Sequence, residues 1–123
     1  MSATKARFPG RAPIDAYGSG GFRFAEMSHR GSILCLPSGV YAWERAALDA
    51  VDAFAAVLAE GSALNLLLLG TGRRLVRPPT EVCRLFIEGG IALEVMDTGA
   101  ACRTYNVLLA EGRPVGAALV AVD

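Results

Sequence analysis

The chain has 123 residues, of which 53% are hydrophobic and 20% are charged, a balance that favours one folded domain and excludes a disordered chain. Twelve basic residues cancel twelve acidic ones, so the formal net charge is zero at pH 7. Nucleic-acid binding depends on clustered lysines and arginines that neutralise phosphates, so we expect no nucleic-acid partner.

The N-terminal part is predicted to hold an arm followed by a β-hairpin. Residues 1–13 are rich in proline and basic side chains and predict a flexible arm before a single domain over residues 14–123. Apolar alternation in "GFRFAE" (21–26) and the apolar run in "RGSILCL" (30–36) predict two strands. The intervening "MSH" (27–29) is predicted to be the hairpin turn.

The next segment changes from a strand pattern to a helix pattern. Apolar side chains recur at spacings of three and four between residues 45 and 60, at Leu48, Val51, Phe54 and Leu58. This spacing predicts a helix that ends at Gly61. The apolar run "LNLLLL" (64–69) then predicts a fully buried strand.

Two further helices and two strands are predicted in the second half. Thr80 is the expected N-cap of a helix that ends at Gly89-Gly90, and "IALEVM" (91–96) is the strand that follows it. Residues 97–112 predict a third helix, and the unbroken apolar stretch 114–122 predicts a strand buried on both faces. Strands that alternate with helices favour an α/β fold with a mostly parallel sheet, made mixed by the early hairpin.

The segment "LLLLGTGRRLVRPP" (66–79) resembles a ligand-binding loop more than any other stretch. A dinucleotide fingerprint needs a third glycine where Leu75 stands, and a helix must follow directly, which Pro78 and Pro79 prevent. The segment also lacks the Gly-Lys-Ser/Thr ending of a Walker loop. We therefore interpret it as a tight turn with arginines facing solvent, and an anion or small-ligand contact is the alternative.

Three predicted strand ends each carry a hydroxyl and a glycine, namely Ser38, Thr71 and Thr98 with their neighbours. Ligands bind outside the carboxyl ends of parallel strands in open α/β sheets, and helix N-termini attract anions. However, turns and caps require the same residue types. No residue is predicted to be catalytic, because His29 falls in a turn and Ser38 lacks a G-x-S-x-G context.

The cysteine pattern argues against metal or disulfide chemistry. Cys35, Cys83 and Cys102 are far apart in apolar surroundings, and the chain has one histidine, so we expect reduced thiols and no metal. We predict no cofactor. The sequence shows neither a signal-peptide pattern nor an apolar run long enough to span a bilayer, so the expected location is the cytoplasm.

Four segments together resemble a known family. They are "YGSGGFRF" (17–24), "GSILCLPSGV" (31–40), "LLLLGTG" (66–72) and "VMDTGAACRTYNVLLAEGRPVGAAL" (95–119). This chain is similar through them to a family of small single-domain proteins without an assigned activity, whose mitochondrial member is an assembly factor for respiratory complex I and whose vertebrate branch is linked to adipogenesis. The resemblance implies a three-layer α/β fold with a central mixed sheet, in which the last strand is interior and antiparallel to its neighbours.

The resemblance also suggests a role and a set of motif positions. Since the family has no established catalytic residue, only motif positions transfer: Gly70, Thr71, Gly72, Thr98, Arg103, Asn106 and Arg113. It implies a non-enzymatic interaction protein that assists assembly of a membrane-bound respiratory complex, with subunits or assembly factors of that complex as partners. The absence of a mitochondrial presequence pattern fits a bacterial relative. The alternative is a small-ligand or anion-binding domain, an enzyme among the options, that uses the strand ends.

A candidate protein interface lies near the N-terminus. Ile14, Tyr17, Phe22 and Phe24 place large apolar groups beside several glycines. Aromatic side chains are common anchors of protein interfaces, so we predict that this segment binds a partner protein. Two alternatives stay open: Phe22 and Phe24 cap the core, or the same patch forms a symmetric homo-oligomer.

Overall fold

Residues 8–123 are described by the computed structural model, and they form two sheets and three α-helices. The small antiparallel sheet contains β1 (Ala16–Gly18), β2 (Gly21–Phe24) and β3 (Met27–Arg30). The large mixed sheet contains β4 (Ile33–Leu36), β5 (Gly39–Ala42), β6 (Leu66–Gly70), β7 (Ala92–Met96) and β8 (Val115–Leu119). The helices are α1 (Ala55–Leu58), α2 (Thr80–Glu88) and α3 (Thr98–Ala110), with 3-10 turns at Val51–Phe54 and Gly61–Ala63.

The last strand lies at the centre of the large sheet, whose order is β5-β4-β8-β6-β7. All five residues of β8 are buried, which confirms the prediction of an interior strand. The expected antiparallel pairing is wrong on one side, because β8 is antiparallel to β4 but parallel to β6. The sheet is also not mostly parallel, since two of its four strand pairs are antiparallel. One of these pairs is a tight hairpin between β4 and β5, and β5 is a strand that the sequence patterns did not predict.

The predicted hairpin turn at residues 27–29 is wrong, because Met27–Arg30 forms strand β3. The chain reverses instead at Ala25 and Glu26, whose φ angles are 48° and 62°. Two-residue turns with positive φ normally use asparagine, aspartate or glycine, so this turn has no recognisable sequence signal. Strand β1 was also not predicted, and with it the expected hairpin becomes a three-stranded sheet.

The long helix predicted over residues 45–60 is reduced to the 3-10 turn at Val51–Phe54 and the single turn of α1. The indole N–H of Trp43 donates to the carbonyl of Ala53 at 2.9 Å. An uninterrupted helix would pair that carbonyl with the N–H of Val57. Tertiary packing of Trp43 and Phe54 therefore overrides the local helical periodicity.

The other two helices lie where they are expected, but one cap differs. Asp97 caps α3, since its side chain accepts a hydrogen bond from the N–H of Ala100 at 2.9 Å. The N-cap of α2 is Pro79, and within the described residues no side chain caps that helix. The expected capping by Thr80 is therefore wrong, because Thr80 is already the first helical residue.

Two clusters of buried side chains cover opposite faces of the large sheet. One cluster joins the small sheet and α3 to the sheet through Phe22, Phe24, Cys35, Ala101 and Tyr105, among others. The second joins the segment around α1 and helix α2 to the other face through Leu34, Phe54, Leu67, Val82 and Phe86, among others. The large sheet is thus the middle of three layers.

The predicted N-terminal arm falls partly outside the described residues, which begin at Phe8. Phe8 exchanges backbone hydrogen bonds with Val40, at 3.4 and 2.9 Å. Ala12 is buried, and the Arg11 guanidinium donates to the carbonyl of Arg113 at 2.8 Å. These contacts hold residues 8–13 against the domain. In the part of the chain that the structure describes, no helix is long and apolar enough to span a bilayer.

Candidate functional site

Two of the three predicted strand ends meet at one edge of the large sheet, because β6 and β7 are parallel neighbours. The N–H of Gly72 donates to the hydroxyl of Thr98 at 2.9 Å, and the N–H of Thr98 donates to the carbonyl of Gly72 at 2.8 Å. The Thr98 hydroxyl in turn donates to the carbonyl of Val120 at 2.7 Å. One fully buried hydroxyl therefore joins the segments that follow β6, β7 and β8.

The hydroxyl of Thr71 organises the loop that leaves β6. It donates to the carbonyl of Arg74 and accepts the N–H of Val76 at 3.1 Å. Gly72 has a φ of 104°, a left-handed conformation that favours glycine. A Cβ at Gly70 would lie 3.0 Å from the Cα of Thr98, so this glycine permits the close approach of the two loops. The Gly-Thr-Gly sequence is thus accounted for by packing and turn geometry.

Ser38 does not join the other two strand ends. Because β4 is antiparallel to β8, the end of β4 lies at the opposite edge of the sheet from the end of β6. The Ser38 hydroxyl donates to the Glu60 carboxylate at 2.6 Å, and the Tyr41 hydroxyl lies 2.6 Å from it. Ser38 therefore fastens the β4–β5 turn to the segment after α1, and a three-loop site is not formed.

Asn106 clamps the N-terminal segment onto α3. Its side-chain oxygen accepts the N–H of Ile14 at 2.8 Å, and its amide donates to the carbonyl of Ile14 at 2.8 Å. Of the other motif positions in this region, Arg103 is exposed on α3, and the exposed Arg113 side chain lies 3.9 Å from Glu111. Asn106 thus has a positioning role for the segment that precedes β1.

Replacing Asn106 by alanine is expected to remove both hydrogen bonds and lower the free energy of unfolding by about 2 kcal/mol. Exchange of the Ile14 amide hydrogen should become faster by a larger factor than exchange within β8. Hydrogen exchange measured by NMR tests this. Val107→Ala, at an exposed neighbouring position on α3, is the control. Unchanged protection of the Ile14 amide in Asn106→Ala would contradict the clamp.

The four predicted interface residues fall into two groups. Ile14, Phe22 and Phe24 are buried in the core, so their side chains are not surface anchors. The alternating pattern of β2 places Phe22 and Phe24 in the same core cluster as residues of α3. This arrangement corresponds to the alternative in which the two phenylalanines cap the core. Tyr17 differs, because 43% of it is exposed. Its hydroxyl lies over Gly99, where a Cβ would collide with it.

Tyr17 also lines a groove of about 550 Å³ along the small sheet. Polar side chains in its lining are Ser19, Arg23, Ser28, His29 and Arg30. Arg23 donates to Ser28 at 3.3 Å, and the Nε2 atom of the mostly buried His29 lies 3.1 Å from the Ser32 carbonyl. Sequence reasoning did not find this groove, since it depends on β1 and β3, and neither was predicted.

The thiols of Cys35 and Cys102 are buried in the core cluster that contains α3. Burial raises the pKa of the Cys102 thiol to about 12, and burial also raises the pKa values of the Cys35 thiol and the Tyr105 hydroxyl. These three groups are therefore neutral near pH 7, and buried neutral thiols are poor nucleophiles. Among residues 8–123, no three histidine, cysteine or acidic side chains are grouped as a metal site would require.

Comparisons with known proteins identify relatives over nearly the whole chain. Residues 14–120 match the family described as "Protein of unknown function (DUF498/DUF598)". An uncharacterized protein of Rhodobacter capsulatus is 38% identical over 98% of this chain and 93% of its own length. The human NADH dehydrogenase [ubiquinone] 1 alpha subcomplex assembly factor 3 is 35% identical over 87% of this chain. The chain spans 59% of that human protein and 66% of its mouse counterpart.

Solved structures of bacterial proteins are also similar to this chain over nearly its whole length. A crystal structure titled as an outer membrane protein from Bartonella henselae is 53% identical, covers 95% of this chain and all of its own, and has a TM-score of 0.91. A Bordetella pertussis protein described as a Mth938-like domain is 29% identical, with a TM-score of 0.75 and coverage of 98% of this chain and 92% of its own. The resemblance predicted from the sequence motifs is confirmed. The chain belongs to the DUF498/DUF598 family of proteins of unknown function.

Proposed function

We propose that this protein acts by binding another protein and, in doing so, assists the assembly of a membrane-bound respiratory complex. The human, mouse and other vertebrate relatives carry the name of an assembly factor for NADH dehydrogenase, and this similarity supports the respiratory role. Proteins of the respiratory complex or its assembly machinery are the partners that we propose. The observation that carries the binding role is Tyr17, a large aromatic side chain that is 43% exposed beside the N-terminal end of α3.

Tyr17 has the properties of an interface anchor. It belongs to the "YGSGGFRF" motif and combines a large apolar ring with a hydroxyl. The strands behind it are held by the core through Phe22 and Phe24, so the ring stands on a rigid support. A partner that covers Tyr17 would also meet the exposed Arg103, whose guanidinium lies near Gly99 beside the Tyr17 hydroxyl and supplies a polar rim.

The small-ligand alternative receives less support from the strand ends. It requires a cavity that encloses Thr71, Thr98 and Arg103. The Thr98 side chain is fully buried and bonded to two backbone groups, and the Thr71 hydroxyl bonds to its own loop. These hydroxyls already have protein partners, whereas Tyr17 is exposed, and this contrast favours protein binding.

The test compares wild type with Tyr17→Asp in affinity capture from cells of the source organism, followed by quantitative mass spectrometry. We expect wild type to enrich respiratory-complex subunits or assembly factors and Tyr17→Asp to lose them by at least about tenfold, as for an interface hot spot. Val51→Asp is the matched control, since Val51 is 44% exposed and Tyr17 is 43% exposed.

Melting temperatures of the three proteins are measured in parallel, and that of Tyr17→Asp should match the control within a few degrees. Retention of the same partners by Tyr17→Asp would place the interface elsewhere. Enrichment of proteins unrelated to respiration would contradict the assembly role while leaving the binding surface in place.

A further inference from the structure

The loop that leaves β6, residues 72–79 with the sequence "GRRLVRPP", presents apolar and basic side chains together. We propose that this loop docks the protein onto the surface of an anionic lipid bilayer. Leu75 is 55% exposed and Val76 is 46% exposed, although both are side chains that normally avoid water. Arg74 and Arg77 flank them and are exposed as well. A membrane surface would cover both kinds of group at once.

The loop has a fixed shape before any partner arrives. The hydroxyl of Thr71 donates to the carbonyl of Arg74 and accepts the N–H of Val76, which closes the loop around one side chain. Pro78 is buried and anchors the far end of the loop, next to Pro79, the residue that precedes the first turn of α2. Because the backbone is held at both ends, docking orders little more than the exposed side chains, and the entropy lost on binding is small.

The arginines give the loop a local positive charge in a chain whose net charge is zero. Arg73 donates to the backbone carbonyl of Asp123 at 3.1 Å. For Arg74 and Arg77, no carboxylate lies within salt-bridge distance among residues 8–123. Their guanidinium groups are therefore available to lipid phosphates, which they recognise well because of their planar arrangement of donors.

The composition of the loop favours a bilayer over a nucleic acid. Single-stranded nucleic acids are bound by basic grooves with aromatic side chains for base stacking, and residues 72–79 contain no aromatic residue. The interface of an anionic bilayer offers both a negative surface for arginines and an apolar boundary for leucine and valine. An isolated phosphate ion would use the arginines but would leave Leu75 and Val76 in water.

Co-sedimentation with vesicles measures the docking. The probes are vesicles of pure phosphatidylcholine and vesicles with about a third phosphatidylglycerol, which carry the negative surface potential of anionic membranes. We expect wild type to bind the anionic vesicles, and the binding to weaken as salt shortens the screening length from about 10 Å at 0.1 M to about 3 Å at 1 M. Arg74→Gln with Arg77→Gln should weaken it roughly 30-fold, since each arginine near such a surface contributes about fivefold.

Leu75→Ser should weaken binding to the same vesicles about tenfold through lost apolar burial. In a Leu75→Trp variant, anionic vesicles should shift the tryptophan emission to shorter wavelength, because the new indole enters an apolar environment. The emission of Trp43 should not change, since Trp43 is buried. Two controls match these changes. Arg23→Gln with Arg30→Gln removes the same charge from the groove of the small sheet, and Ile87→Ser changes an apolar side chain that is 77% exposed on α2. Both should bind like wild type.

Three results would overturn the proposal. The first is no binding of wild type to anionic vesicles at low salt. The second is an equal loss in the Arg23 and Arg30 control, which would indicate a response to net charge and not to this loop. The third is tighter binding to a single-stranded DNA oligonucleotide than to vesicles, lost with the Arg74 and Arg77 changes but kept in Leu75→Ser. That pattern would assign the loop to nucleic acid.

Discussion

Replacing Thr98 by valine is expected to lower the free energy of unfolding by about 3 kcal/mol, because it leaves one buried and one partly buried backbone group without their partner. The hydroxyl accepts the N–H of Gly72 and donates to the carbonyl of Val120, and the side chain is fully buried. Valine has nearly the same shape, so the loss reports hydrogen bonding and not packing. Urea unfolding followed by circular dichroism measures it.

Thr80→Val is the matched control for this substitution. Thr80 is exposed at the start of α2, and its side chain makes no capping bond in the described structure. Its replacement should change the stability by no more than about 0.5 kcal/mol. If Thr98→Val were as mild as Thr80→Val, the hydroxyl would not hold the three loops together, and the strand ends would be free to act as a ligand site.

Replacing Phe54 by alanine is expected to lower the free energy of unfolding by about 4 kcal/mol. The ring is fully buried, with its centroid 5.6 Å from that of Trp43 and 5.3 Å from that of Phe86. Its removal leaves a cavity between the 3-10 turn, α2 and the sheet. The helical turns of this segment are too short to be stable alone, so the segment depends on tertiary contacts, and Phe54 is one of its fully buried side chains.

Thermal unfolding measured by calorimetry tests the Phe54 prediction, and limited proteolysis should show faster cleavage between residues 44 and 63. Val51→Ala, in the same 3-10 turn but 44% exposed, should have little effect on either measurement. Equal protease resistance in Phe54→Ala and wild type would mean that the segment is held mainly by other contacts.

The loops that follow β6 and β7, whose sequences suggested a ligand site, pack against each other and share hydrogen bonds. Gly70 allows Thr98 to approach, and Thr98 bonds to the backbone of Gly72. This mutual dependence explains the residue types of both loops without a ligand. The exposed groups on which our proposals rest are Tyr17 and residues 73–77, which lie in the outer part of the loop after β6. These two surfaces carry the proposed contacts with a partner protein and with a membrane.

Some features of this fold follow from local sequence alone. The unbroken apolar run that contains β8 predicts an interior strand, because such a run must be covered on both faces. Asp97 and Gly112 bracket α3, since one accepts a free N–H of the first turn and the other has a φ of 75° after the last turn. Each of these signals acts between residues close together in the chain, and the family motifs are likewise read directly from the sequence.

Other features were decided only by the tertiary structure. The direction of β4 places Ser38 at the far edge of the sheet, and no local pattern encodes a strand's direction relative to its neighbours. Packing of Trp43 and Phe54 shortens a segment whose periodicity predicts a longer helix. Asn106 bonds to Ile14 across 92 positions, and Tyr17 is exposed while Phe22, in the paired strand, is buried. The physical reason is the same in each case: periodicity shows which side chains share a face, whereas contacts between distant segments determine what covers that face.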